Sequence, residues 1–156
     1  MRQQIEALDR LILEKRPELH ASLCPGASHD YVADTLGSLF EKAPAGLVSL
    51  WEWHDGQSQR YLGDFHPRAS EMFLSVADAF ETMEMLNEYV DAGDVSPDNW
   101  QSDWLPFTEN GGGNYTCVSI STGKVYYFDK YAVSTGVQYS SFSEWLEDLV
   151  DGYEKL

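Results

Sequence analysis

Histidine and cysteine are the residue types that most catalytic and metal sites require, and this chain has few of either. Four histidines occur, at His20, His29, His54 and His66. Their spacing matches no zinc motif, and neither Cys24 nor Cys117 has a second ligand beside it in the sequence. His54 and Asp55 are adjacent, but adjacent residues on a helix do not face each other. We therefore expect surface or boundary histidines and no metal site.

A glycine-rich segment, Asn-Gly-Gly-Gly-Asn at residues 110–114, is the nearest approach to a phosphate-binding loop. Phosphate loops lead into a helix whose first amides face the anion, whereas this segment leads into a strand-like stretch and has no lysine at the required position. A turn that needs positive φ angles is the better interpretation. The chain also has no Gly-x-Ser-x-Gly nucleophile motif. The sequence thus predicts no enzyme, no cofactor and no catalytic residue.

The charge of the chain is strongly negative. Asp and Glu number 26 against 10 Lys and Arg, which gives a formal net charge of −16 at pH 7. Such a field repels nucleic acid and anionic lipid and attracts basic partners, so direct binding to nucleic acid or to a membrane is not expected. The alternative is that the excess acid only maintains solubility.

Acidic residues gather at the C-terminal ends of two predicted helices, where negative charge opposes the helix dipole. One group is Glu88, Asp91 and Asp94, and the other is Glu147, Asp148, Asp151 and Glu154. Repeated violation of a local rule is typical of a functional surface. A solvated face in a generally acidic protein is the alternative interpretation.

Apolar residues at intervals of three and four predict five helices. The first helix runs from the N-terminus and ends at Pro17, and the second is capped by Ser28 and carries Leu39 and Phe40. The third begins at Pro44 and ends at Gly56, and the fourth lies between Ser75 and Gly93. The last helix begins with the capping box at residues 141–144.

Short β-rich segments fill the remainder of the chain. They are Tyr61-Leu62, residues 72–74, residues 104–107 with Pro106 at an edge or a strand start, residues 115–120 and residues 125–128. Residues 121–124 predict the turn of a hairpin. The expected fold is α+β: a single domain, residues 1–156, with a small, mainly antiparallel sheet packed by helices.

Cysteine usage and the N-terminus bear on the compartment. Two widely separated cysteines suggest free thiols in a reducing environment, and the first residues have helical spacing with charges on both sides, unlike a secretory signal. We expect a cytoplasmic protein.

Several segments in order resemble the SUKH superfamily, the domain shared by fungal cell-wall regulators of the Smi/Knr type and many bacterial proteins. They are the proline-opened helix at 44–56, Trp-Leu-Pro-Phe at 104–107 followed by the glycine turn at 110–114, and the closing helix from Ser141. The chain departs from the family pattern at Asp55, Asn114 and Ser119. The resemblance implies an α+β fold without an active site.

The resemblance also implies a function. Bacterial members look like immunity proteins, which bind and neutralise a toxin, often a nuclease, from neighbouring cells. The alternative is an intracellular regulatory or scaffold module that binds an endogenous protein; a small-molecule binder or enzyme would require a deep pocket of convergent polar groups. As partner-binding residues we predict Glu88, Asp91, Asp94, Glu109, Tyr61 and Tyr131. Further possible aromatic anchors are Tyr31, Trp100 and Tyr139, of which Trp100 is better suited to the core.

Overall fold

An antiparallel sheet, in the order β1-β2-β3-β4-β5, forms the centre of the fold. The computed structural model describes residues 1–58, 63–133 and 136–156. Its strands are β1 (Met72–Phe73), β2 (Trp104–Glu109), β3 (Tyr115–Ser119), β4 (Val125–Phe128) and β5 (Val137–Tyr139). Its helices are α1 (Arg2–Lys15), α2 (Pro17–Ser22), α3 (His29–Leu36), α4 (Ala45–Trp53), α5 (Val76–Asp91) and α6 (Phe142–Glu154), with a 3-10 helix at Gly37–Lys42. The predicted α+β fold with a small antiparallel sheet is confirmed.

Serine caps start three of the helices, as the sequence predicts. The side chain of Ser28 accepts a hydrogen bond from the backbone of Tyr31 at 3.1 Å, and Ser75 and Ser141 cap α5 and α6 in the same way. Glu144 completes the last cap by accepting from the Ser140 amide at 2.9 Å. Each cap satisfies a backbone donor that the first turn of a helix leaves free.

The N-terminal third differs from the predicted helices in two places. Pro17 does not only end the first helix: it is the first residue of a second one, α2, because proline at that position has no amide that the helix would use. Leu39 and Phe40 lie in the 3-10 helix and not in α3, because Gly37 takes a positive φ of 56° and ends α3 there.

Four of the five strands were expected, and β5 was not. The predicted strand at Tyr61-Leu62 lies outside the described residues. β1 pairs only with Thr108 and Glu109, so within the described chain Pro106 has a strand partner on one side alone, as expected for a residue that cannot donate to a ladder.

Helices cover both faces of the sheet. On one face Trp100 contacts the rings of Trp104 and Phe128, and its Nε1 donates to Asn87 of α5 at 2.7 Å. Trp100 is 2% exposed, which confirms its place in the core. On the other face Phe107 packs against rings of α6, and α1 packs on α6 in turn. α5 and α1 therefore lie on opposite sides of the sheet.

Candidate protein-binding surface

The outer face of α5 carries a row of acids. Glu81, Glu84, Glu88 and Asp91 are all exposed and follow one another at intervals of three and four, which places them on one side of the helix. Asp94, also exposed, follows just beyond the helix end. We call these five residues the α5 acidic face. Val76, Ala79, Met83 and Leu86 form the buried side of the same helix.

No basic side chain neutralises this face within the described residues. α5 itself contains no lysine or arginine, and none of its acids takes part in an ion pair among residues 1–58, 63–133 and 136–156. The last turn holds Glu88 and Asp91, where the helix dipole disfavours negative charge by roughly 0.3–1 kcal/mol per exposed residue. The face is therefore an uncompensated concentration of negative charge.

Two of the acids at the end of α6, Asp148 and Asp151, differ because neighbouring cations pair with them. Arg68 donates a hydrogen bond from Nη1 to Asp148 and one from Nη2 to Asp151, the latter at 2.7 Å. Lys155 also reaches Asp151 at 2.9 Å, and the hydroxyl of Tyr139 donates to Asp148 at 2.8 Å. These contacts lower the pKa of Asp151 below its ordinary value, chiefly through the hydrogen bond from Arg68. This second acidic group therefore includes an internal hydrogen-bond network.

An exposed aromatic residue, Tyr89, lies between the acids of α5 in sequence. Its side chain is 41% exposed, and it was missing from the predicted anchors. Aromatic side chains with a polar tip are the common anchors of protein interfaces. The signal that could have found it was its place among the acids of one amphipathic helix.

The aromatic anchors that the sequence predicted are scattered over the surface, and those among the described residues do not form one patch. Tyr31 is exposed on α3, Tyr131 is 85% exposed in the β4–β5 loop, and Tyr139 is half-buried on β5. Tyr61 lies outside the described residues. Lys130 lies 5.0 Å from the centre of the Tyr131 ring, and the backbone amide of Tyr131 donates to Asp129 at 2.9 Å, so both charge signs adjoin this tyrosine.

Glu109 lies at the opposite end of α5 from Glu88, Asp91 and Asp94. It ends β2, next to the β1 pairing and to Asp78 in the first turn of α5. From Asp78 to Glu88 the helix rises about 15 Å. Burial, and then the negative charge of Asp78, raise the pKa of Glu109. Tyr131 lies at the same end of the sheet, since β4 ends opposite the start of β3. The predicted residues thus fall into two groups, at opposite ends of β2.

A hollow of about 390 Å³ between the sheet, β5 and α6 bears on the small-molecule alternative. Glu71 is buried there, and its carboxylate accepts hydrogen bonds from Thr108 and, at 2.8–2.9 Å, from Thr116. Arg68 and Tyr139 point to the acids of α6. The polar groups of Glu71, Arg68 and Tyr139 that line this hollow thus already have partners within the chain.

Among the described residues, one buried side-chain atom of the hollow has no hydrogen bond. Nε2 of His66, a residue only 3% exposed, lies 3.3 Å from a carboxylate oxygen of Asp148, but the alignment is too poor for a hydrogen bond. Burial lowers the pKa of His66 and outweighs the opposing effect of Asp148. His66 lies in the segment before β1, two residues from Arg68, whose side chain pairs with α6.

Comparison with known families decides the relationship. The model of the SMI1 / KNR4 family (SUKH-1) matches residues 26–148, which is well over half of the chain. The chain belongs to the SMI1 / KNR4 family. A search of curated proteins finds no match. The resemblance drawn from the sequence is therefore confirmed.

The matched SMI1 / KNR4 region begins between α2 and α3 and ends within α6, so it includes all five strands and the whole α5 acidic face. α1 and α2 precede it. Membership in this family points to a protein that acts through protein–protein interaction. Among the described residues, no helix is long and apolar enough to cross a membrane.

Proposed function

We propose that this chain is a non-enzymatic, cytoplasmic immunity protein that binds and neutralises a cognate bacterial toxin with a basic surface. The observation that carries the proposal is the α5 acidic face, which presents five acids without an ion pair in the described chain. Membership in the SMI1 / KNR4 family supports a binding role. The free thiols of Cys24 and Cys117 fit a reducing compartment.

A nuclease is the class of toxin that this face suits best. The substrate site of a nuclease is basic because it binds phosphates, and an acidic surface can cover the same site. Long-range attraction raises association rates of charged protein pairs by 10-fold to 1,000-fold over neutral ones at low salt. In this mechanism Glu88 and its neighbours steer the encounter, and Tyr89 supplies apolar contact area once the surfaces meet.

The proposal is tested by co-expressing the chain with the product of the adjacent gene, followed by pull-down and growth measurement. Growth rescue together with a stable complex would support immunity and identify the toxin. Neither rescue nor complex with the neighbouring gene product, nor with any toxin of the same genome, would contradict it.

The binding face is tested on the purified complex. Replacing Glu88, Asp91 and Asp94 by lysine is expected to slow association by at least about 10-fold at low ionic strength, with the difference shrinking at high salt. Glu14→Lys, compared with Glu88→Lys alone, is the control matched in charge, because Glu14 is an exposed acid in the last turn of α1, on the other side of the sheet. Equal association rates for the triple variant and the control would exclude the α5 acidic face.

A regulatory or scaffold module that binds an endogenous basic protein is the alternative function, and the same surface would serve it. It would be favoured if no toxin is neutralised but the chain captures one host protein in a complex that the triple lysine variant abolishes.

A further inference from the structure

Three potential metal ligands from separate parts of the chain converge beside α1. Asp9 comes from α1, His20 from α2, and His54 directly follows α4. One ligand atom of each lies within 4.8 Å of the ligand atoms of the other two. We propose that Asp9, His20 and His54 form a binding site for Zn²⁺ or a related divalent transition-metal ion.

The distances suit a tetrahedral ion after small side-chain adjustments. Ligands at about 2.0–2.1 Å from a tetrahedral zinc are separated from each other by about 3.3 Å. Nε2 of His20 lies 2.9 Å from Oδ1 of Asp9, and Nε2 of His54 lies 3.9 Å from the same oxygen. These separations bracket the required value. Two imidazoles and one carboxylate form a donor set that zinc commonly takes.

The hydrogen bond on the far side of His54 orients it as a ligand. Its Nδ1 lies 2.6 Å from the carbonyl oxygen of Cys24, which can only accept, so Nδ1 carries the proton. In the neutral ring, Nε2 then presents a lone pair toward the carboxylate of Asp9. Two acceptors that face each other repel, and a cation between them removes the repulsion. Such carbonyl contacts orient the histidine ligands of most metal sites.

The site is accessible and has room for a fourth ligand. The side chains of Asp9, His20 and His54 are 42%, 24% and 20% exposed. An open hollow of about 450 Å³ adjoins them and is lined by Ile5, Glu6, Asp9, Trp53 and His54. Water can complete the coordination from this hollow, whereas the carboxylate of Glu6 pairs with Arg2 at 3.2 Å.

The position of the three ligands indicates what the ion would do. Asp9 and His20 precede residue 26, where the match to the SMI1 / KNR4 family begins, and His54 lies inside the match. A bound ion would join α1 and α2 to the family region and hold them against the end of α4. It would stabilise the folded state by an amount that grows with free metal concentration.

The pattern was not visible in the sequence, from which we expected no metal site. Zinc motifs are recognised when ligands lie within a few residues of each other, and here the intervals are 11 and 34 residues. The competing explanation is a metal-free cluster in which Asp9 accepts hydrogen bonds from His20 at 2.9 Å and Trp53 at 3.0 Å.

The test is titration of metal-free, tag-free protein with Zn²⁺ by calorimetry and with Co²⁺ by visible absorption. We expect one equivalent to bind, a tetrahedral Co²⁺ spectrum, and a rise in Tm at about 0.1 mM Zn²⁺. His20→Ala and His54→Ala should each weaken binding by at least about 10-fold, and Asp9→Asn should do so without loss of side-chain volume. His29→Ala is the matched control, since His29 is exposed and pairs with Glu52 on α4.

Absence of binding at 0.1 mM Zn²⁺, about the upper limit for a physiological site, would overturn the proposal. Equal losses in the His29→Ala control and in the site variants would also overturn it, because they would indicate adventitious surface binding. If the alanine variants do not fold, the Asp9→Asn titration and the Co²⁺ spectrum of the unaltered chain decide the matter.

Discussion

Replacing Glu88 by lysine is expected to make the isolated protein more stable and its complex with a basic partner weaker. Glu88 is exposed in the last turns of α5, four residues after Glu84 and three before Asp91. It therefore repels two like charges on its own helix and opposes the helix dipole. The substitution reverses all three interactions.

The magnitude follows from these terms. Like-charge pairs at three or four residues cost about 0.2–0.5 kcal/mol each, and the new lysine gains a similar amount from the same two neighbours. A cation in place of an anion near the helix C-terminus adds about 0.3–1 kcal/mol. Because both ends of each pair are solvent-exposed and screened by salt, we expect a net gain near the lower end, about 1 kcal/mol. For a chain of this length that corresponds to about 2–4 °C in Tm.

Urea and thermal denaturation at low and high ionic strength would measure the gain, which should shrink as salt is added. Glu88→Gln, which removes the negative charge without adding a positive one, should give about half of it. Glu14→Lys is a second comparison: it also lies in the last turn of a helix, but Arg10 four residues earlier would repel the new lysine, so its gain should be smaller. A loss of stability in Glu88→Lys would refute this reasoning, because it would mean that Glu88 makes a favourable contact.

Two further predictions concern the stability of the fold. Gly56→Ala should destabilise the fold by more than about 2 kcal/mol, since its φ is +79° and a Cβ would lie 2.5 Å from the backbone nitrogen of Ser75, which caps α5. Gly93→Ala, with φ +82° and no atom of the described residues within 4 Å of its Cβ, should cost only about 1 kcal/mol in the same denaturation assay. Asp103→Ala should cost about 1–2 kcal/mol at neutral pH, because Ser119 and Ser121 donate hydrogen bonds to this carboxylate. Burial raises the pKa of Asp103, but these hydrogen bonds outweigh it and lower the pKa overall. The stabilisation is therefore complete above the pKa of the unfolded chain, about 3.9, and is lost as the pH falls through the lower pKa of the folded protein. Below that pH the variant and the unaltered chain should be equally stable.

Much of the fold follows from local sequence signals. Ser28, Ser75 and Ser141 could be identified as caps because the groups that define a cap lie within three residues of each other. Strand β5 could not be identified, because Val137–Tyr139 is too short to show alternation and depends on its pairing with β4. The 3-10 helix was missed for a related reason: the positive φ of Gly37, and not the spacing of apolar residues, decides where α3 ends.

The candidate sites depend on contacts between distant residues, and here the sequence is less informative. It placed acids at the ends of α5 and α6 alike, but only the fold brings Arg68, from an irregular segment about 80 residues earlier, to Asp148 and Asp151. The convergence of Asp9, His20 and His54 likewise depends on how α1, α2 and α4 pack. Local patterns predicted which residues are charged, and tertiary structure determined which charges remain unneutralised.

The contrast between the two helices favours recognition over solubility as the role of the α5 acidic face. Acids that serve solubility alone can lie anywhere on the surface, and lysine or arginine could be interspersed without loss. Two of the α6 acids, Asp148 and Asp151, are paired with cations, whereas within the described chain no acid of α5 is paired, and those near its end repel each other and oppose the dipole. A basic partner that covers α5 relieves this repulsion, so the free energy that the face costs the isolated protein is returned on binding. In the proposed complex, an unfavourable arrangement in the free state would therefore strengthen binding, and the stability gain and the association defect expected for Glu88→Lys have the same electrostatic origin.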